Sequence, residues 1–136
     1  MSIFIEEKDC IEVAIHYVLE PDGGITIFEN PIVKAPSVKE DLTAETQTIN
    51  MVFNRPDFAT SQRLMSASTV TDSNGNQTMN IMMLQNNLIY FLARSWDIKN
   101  EAGEPVELTN YNIGKLRVEI ARALVTQLVE KVGQIL

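Results

Sequence analysis

The residues that could do chemistry are few. The chain has one histidine, His16, and one cysteine, Cys10, so a Ser–His–Asp relay or a His-rich metal site would have to be built on His16. Both lie in a run that alternates apolar and polar residues, and their even offset places them on one face of a strand. No oxyanion donor accompanies them, and no second Cys or His exists to complete tetrahedral zinc. His16 therefore reads as an exposed strand histidine. Asp72-Ser73-Asn74-Gly75-Asn76 opens like a calcium loop, with oxygen ligands at alternate positions. Its glycine comes two positions early, however, and Met83 stands where the bidentate glutamate is required. It reads as a polar loop. Gly23-Gly24 has no Lys-Ser/Thr behind it to make a phosphate loop. Glu6-Glu7 and Glu40-Asp41 are sequence neighbours and read as solvated carboxylates. Asn76-Gln77-Thr78 spells a glycosylation acceptor, but no secretory signal precedes it. The expectation is no catalytic residue, no metal site, no cofactor and no enzyme.

The elements that would carry these residues follow from two periods. From Ile11 the apolar positions are Ile11, Val13, Ile15, Tyr17 and Leu19, a strand pattern. Pro21-Asp22-Gly23-Gly24 reads as a hairpin turn and Ile25-Thr26-Ile27-Phe28 as the returning strand. Pro31 and Pro36 bracket a short edge or loop segment. Gln47, Ile49, Met51 and Phe53 mark a third strand, which Pro56 ends. Past Asp57 the period changes. Phe58, Gln62, Met65 and Ser66, with Leu64, predict a short helix capped by Asp57. Residues 71–78 read as a polar linker with a turn at Asn74-Gly75. Residues 79–96 are apolar on nearly all sides and predict a largely buried helix, with Met82 and Met83 in the core. Residues 100–105 read as a loop turning at Gly103, and Thr109 or Asn110 as the cap of a last helical region. There Ile113, Leu116, Ile120, Leu124, Leu128, Val132 and Ile135 recur at three and four. The fold class predicted is α+β: a three- or four-stranded antiparallel sheet followed by a bundle of about three helices. It forms a single domain over 1–136, β-rich in 1–57 and helical in 58–136.

Charge divides at the same point. Of eighteen acidic and eleven basic residues, eleven acids and four bases fall in 1–57, which carries −7, while 58–136 is neutral. An acidic half repels phosphate, and no Lys/Arg cluster is interleaved with aromatics, so nucleic acid is not an expected partner. At 45% hydrophobic and 21% charged the composition is globular. The lone thiol suits a reducing compartment. The apolar stretch over 81–93 is broken by Gln85, Asn86 and Asn87 and is too short for a bilayer, so a soluble chain with no membrane partner is expected. Val118, Val125 and Val129 stand beside the main stripe of the last helix. Its apolar face is then wider than a two-helix seam needs, with room for a partner helix or a second copy of the chain.

The order of features carries a resemblance. Phe53-Asn54-Arg55-Pro56 ends a strand and a short helix opens at Asp57. A second helix closes on Trp96-Asp97-Ile98, the turn Gly103-Glu104-Pro105-Val106 follows, and residues from Thr109 through Ile113 to Leu116 open a terminal amphipathic helix. Over roughly 45–136 this layout resembles the small tail assembly chaperones of tailed bacteriophages. The resemblance implies a non-catalytic factor that keeps the apolar, helical tape-measure protein soluble in the host cytoplasm, helps recruit tail-tube subunits, and leaves before the tail is complete. It supplies no catalytic residues. The positions expected to matter for partners are Val118, Val125 and Val129 as contacts and Trp96 as an anchor orienting the loop. The competing expectation is a permanent virion component, such as a baseplate, neck or tail-completion subunit.

Overall fold

The computed structural model describes residues 2–28, 35–36, 43–44 and 46–132. Strand β1 (Cys10–Leu19) turns through Pro21-Asp22-Gly23-Gly24 into β2 (Ile25–Phe28). The turn closes because Gly23 adopts φ +90, a region open to a residue without Cβ. Glu20 N–H donates to the Gly24 carbonyl at 2.8 Å and the Asp22 carboxylate accepts from Gly24 N–H at 3.0 Å. A two-residue ribbon joins β3 (Ala35–Pro36) to β4 (Thr43–Ala44). Strand β5 (Gln47–Asn54) then pairs antiparallel with β1, placing Ile11 opposite Phe53, Val13 opposite Met51 and Ile15 opposite Ile49. These cross-strand pairs share one face and form the floor of the core. Pro31 and Ile135 lie outside the described residues.

The helical half begins with α1 (Phe58–Ala67), capped by Asp57, whose carboxylate accepts from Thr60 N–H at 2.7 Å. Of its apolar residues only Leu64 is buried, and Phe58 is 78% exposed. The expected linker over 71–78 is instead a hairpin of β6 (Thr69–Thr71) and β7 (Gln77–Met79) around Gly75 at φ +83. Helix α2 (Ile81–Leu92) is capped by the Asn80 side chain. It stops four residues before Trp96. Residues expected to continue it form strand β8 (Ala93–Trp96), which pairs with β5 and completes a four-stranded antiparallel sheet in the order β2-β1-β5-β8. Local apolar density favours helix there, but the outer edge of β5 offers unpaired backbone groups, and that tertiary demand decides.

The last region is two helices. α3 (Asn110–Gly114) is capped by Thr109, and α4 (Val118–Val132) follows after Lys115-Leu116-Arg117. Glu119 in the first turn of α4 and Lys131 in its last turn complement the helix dipole. Ile120, Leu124, Leu128 and Val132 recur every four residues and are all buried. They pack with Leu88, Ile89 and Leu92 of α2 and with the inner face of β1 and β5 in one core. The architecture is thus α+β, an N-terminal antiparallel sheet followed by C-terminal helices, with α3 as a short fourth helix. On β1 the alternation shifts near the turn: Val18 is buried while Leu19 is exposed, because the covered side there carries Val18, Thr26 and Glu20. Among the described residues no helix is long and apolar enough to cross a membrane.

Candidate functional site

His16 and Cys10 share the outward face of β1 but stand about 20 Å apart at strand rise, and nothing folds one onto the other. His16 Nδ1 lies 2.9 Å from the Thr48 hydroxyl on the neighbouring strand. That bond is a cross-strand tie. Asp72 Oδ1 accepts from Asn74 N–H and Asn76 N–H, both at 2.9 Å. The Asn76 and Asn74 N–H groups hold its carboxyl below the usual carboxylate range. The carboxylate is thereby committed to shaping the β6–β7 turn. Among the described residues no group of three or more His, Cys, Asp or Glu is arranged to hold a metal ion.

Two clefts stand out. The larger, about 890 Å³, runs between β1 and α4 and includes Glu12, Ala14, His16, Gln127 and Lys131 in its lining. Strand β2 pairs only with His16 to Leu19, leaving the earlier half of β1 without a described strand on that side. Two side chains of α4 reach that edge instead. Gln127 Nε2 donates to the Ala14 carbonyl at 3.0 Å and Lys131 Nζ donates to the Glu12 carbonyl at 2.6 Å. They satisfy strand carbonyls and tie α4 to the sheet. Neither residue was singled out by sequence reasoning, since a polar residue on the outside of an amphipathic helix carries no local sign of such a role.

The smaller cleft, about 250 Å³, is apolar. Met65 of α1, Met79 of β7, Ile81, Leu84 and Leu88 of α2, and Val129 of α4 form most of its wall. Beside it the first turn of α2 projects Ile81 at 58% exposure and Met82 at 74%. This corrects the expected placement of Met82 and Met83 in the core: both are exposed, and α2 buries only Leu88, Ile89 and Leu92. A helix on one layer of sheet has a single inward stripe, so apolar residues all round it cannot all be covered. The signal that locates the exposed end is Asn80, whose side chain accepts from Met83 N–H at 3.0 Å and so fixes Ile81, Met82 and Met83 as the first turn.

The three valines expected to form one contact strip have different surroundings. Val118 is 56% exposed at the start of α4, while Val125 and Val129 are half-buried against the core. Only Val129 lines the apolar cleft. Trp96 is half-buried against the same core, and its indole N–H donates to the Val106 carbonyl at 2.6 Å. Val106 N–H in turn donates to the Ile98 carbonyl at 2.9 Å, and Gly103 takes φ +81 at the turn between them. Trp96 thus holds the loop over 97–106 against the sheet. Asp97, next to it, accepts from both the backbone N–H and the side-chain amide of Asn50, at 2.8 and 2.9 Å. These bonds lock the end of β8 onto β5.

No family model matches the chain, and neither a curated protein nor a solved structure matches it.

Proposed function

We propose that this chain is a non-catalytic assembly chaperone of a tailed bacteriophage, acting in the host cytoplasm on the tape-measure protein and aiding assembly of the tail tube. The observation that carries the reading is the apolar cleft walled by Met65, Met79, Ile81, Leu84, Leu88 and Val129, with Met82 exposed next to Ile81 in the first turn of α2. A concave apolar surface rich in methionine adapts to helical segments of varied sequence. The acidic half, at −7, keeps a complex with an apolar partner dissolved. The Trp96-Asp97 and Gly103-Glu104-Pro105-Val106 segments that carry the resemblance are joined through the Trp96–Val106 bond, so they act as one structural unit.

The test is mass spectrometry of purified virions beside infected-cell lysate. The chaperone reading expects the protein to be abundant in lysate and absent from particles. Retention at a fixed copy number per particle would make it a structural subunit of the baseplate, neck or tail end and would overturn the reading. Co-purification from the same lysate should recover the tape-measure protein with the native chain and lose it with Met82→Asp.

A further inference from the structure

The turn between β6 and β7 carries a reactive pair of residues that neither cleft uses. Asn74 is the only asparagine in the chain that glycine follows. A side-chain amide in that position is open to attack by the next backbone nitrogen, because glycine has no Cβ to obstruct the approach. The surroundings leave room: a Cβ added to Gly75 would meet nothing within 4 Å, and every residue from 70 to 78 is exposed. Asp72 holds the backbone N–H of Asn74 at 2.9 Å, but among the described residues the Asn74 side-chain amide has no hydrogen-bond partner. The bond that opposes the attack runs from Gly75 N–H to the Asp72 carbonyl at 3.1 Å, toward the long end of the range. It breaks whenever the hairpin opens. Strands β6 and β7 have three residues each and pair only with each other. Such a ribbon is marginal in water, and its local opening costs far less than global unfolding.

We propose that Asn74 is a site of spontaneous deamidation, a covalent change that needs only water and whose effect stays within the turn. Base removes the proton from the Gly75 backbone nitrogen, which attacks Asn74 Cγ. The new N–Cγ bond closes a succinimide ring as the Cγ–Nδ2 bond breaks, and the side-chain nitrogen leaves as ammonia. Water then opens the ring at either carbonyl. One opening leaves an aspartyl residue, the other an isoaspartyl link in which the main chain runs through Cγ. Nothing is oxidised or reduced. The other acid-or-amide and glycine pair, Asp22-Gly23, is no equivalent. A carboxylate is a poorer electrophile than an amide, and that turn joins strands of the main sheet and is clasped by Arg117, which donates to the Gly23 carbonyl at 2.5 Å. At Asn74 the reaction adds a negative charge beside Asp72, and the isoaspartyl form lengthens the backbone. The Asp72 carboxylate can then no longer bridge the N–H groups of residues 74 and 76. The base of the hairpin is held separately. Thr69 Oγ1 donates to the Met65 carbonyl and Asn80 N–H to the Ser68 carbonyl, both at 2.8 Å. The disturbance therefore ends short of Met79 and the cleft. The inference stands apart from the chaperone reading, because it concerns this turn alone.

Timed incubation of the full chain at mildly alkaline pH, followed by proteolysis and mass spectrometry, tests it. The fragment holding Asn74 should gain the mass of an OH-for-NH2 exchange and separate into aspartyl and isoaspartyl forms. Its rate should rise with hydroxide concentration, since the attacking nitrogen must lose its proton. A synthetic peptide spanning residues 69–79 gives the rate with no fold around the turn, and the native chain should come within about tenfold of it. Asn74→Gln should abolish the mass gain, because closure would need a larger ring. That variant and the modified native chain should both keep the native circular dichroism spectrum and unfolding midpoint. The proposal is overturned by an unreacted Asn74, by a native rate more than about tenfold below that of the peptide, or by faster reaction at another asparagine or at Asp22. A lowered unfolding midpoint in the modified chain would overturn it equally.

Discussion

Helices α2 and α4 draw on the same kinds of apolar residue and dispose of them differently. In α4 the apolar residues spaced by four, Ile120, Leu124, Leu128 and Val132, are all buried, while Glu119, Arg122 and Glu130 stay outside or at the margin. In α2 the last two turns bury Leu88, Ile89 and Leu92, but the first turn leaves Ile81 and Met82 largely in solvent. That stripe of α4 is spent on the fold. α2 carries apolar surface that the fold does not use, and it is on this patch and the cleft beside it that the proposed partner binding rests.

The contrast is sharpest for substitutions that introduce charge. Leu124→Asp, at a fully buried position facing the sheet, should abolish the cooperative thermal transition, with a loss above about 4 kcal/mol. An unchanged unfolding midpoint would mean that α4 does not carry the core. Val125→Ser with Val129→Ser should fall between the extremes, at about 1–2 kcal/mol in urea unfolding, because both side chains are half-buried. The pair therefore reports on stability as well as on contacts. Met82→Asp should change stability by no more than about 0.5 kcal/mol, and a carboxylate in the first turn of α2 suits its dipole. Its effect should be confined to partner capture. A large drop in its melting temperature would show that the first turn of α2 is structural after all, and the comparison would fail.

The smallest effect concerns the cap of α1. Thr60, through its backbone N–H and then its hydroxyl, holds the Asp57 carboxyl below the usual carboxylate range. A carboxyl with a lowered folded-state value contributes stability that is complete above its unfolded value, near pH 4, and that fades as pH falls through the folded one. Asp57→Asn keeps a capping acceptor but does not titrate. Stability measured from neutral to acid pH should therefore fall less steeply in the variant. Identical slopes would remove Asp57 from the acid response.

Much of the frame was legible because it is written in local chemistry. Ile11, Val13 and Ile15 alternate, Asp57 and Thr109 are good caps, and Gly23, Gly75 and Gly103 permit the backbone that their turns require. Leu124 and its partners repeat at the helical period. The candidate surface was less legible. Val129 was identified, but Met65, Met79, Ile81, Leu84 and Leu88 come from three other elements, and only folding brings them together. Met82 looks like any core methionine until the neighbours of α2 are in place.

The residue order by itself determined the periods, the turns and caps, the division between an acidic β-rich part and a neutral helical part, and the α+β class. Each depends on interactions within a few residues, or on composition. Only the tertiary structure decided that Ala93–Trp96 is a strand, that Gln127 and Lys131 satisfy the carbonyls of Ala14 and Glu12, and which side of α2 stays uncovered. The reason is that these are questions of supply. An open strand edge takes whatever backbone or side-chain group can reach it, and one sheet face has room for only part of the apolar surface that the helices bring.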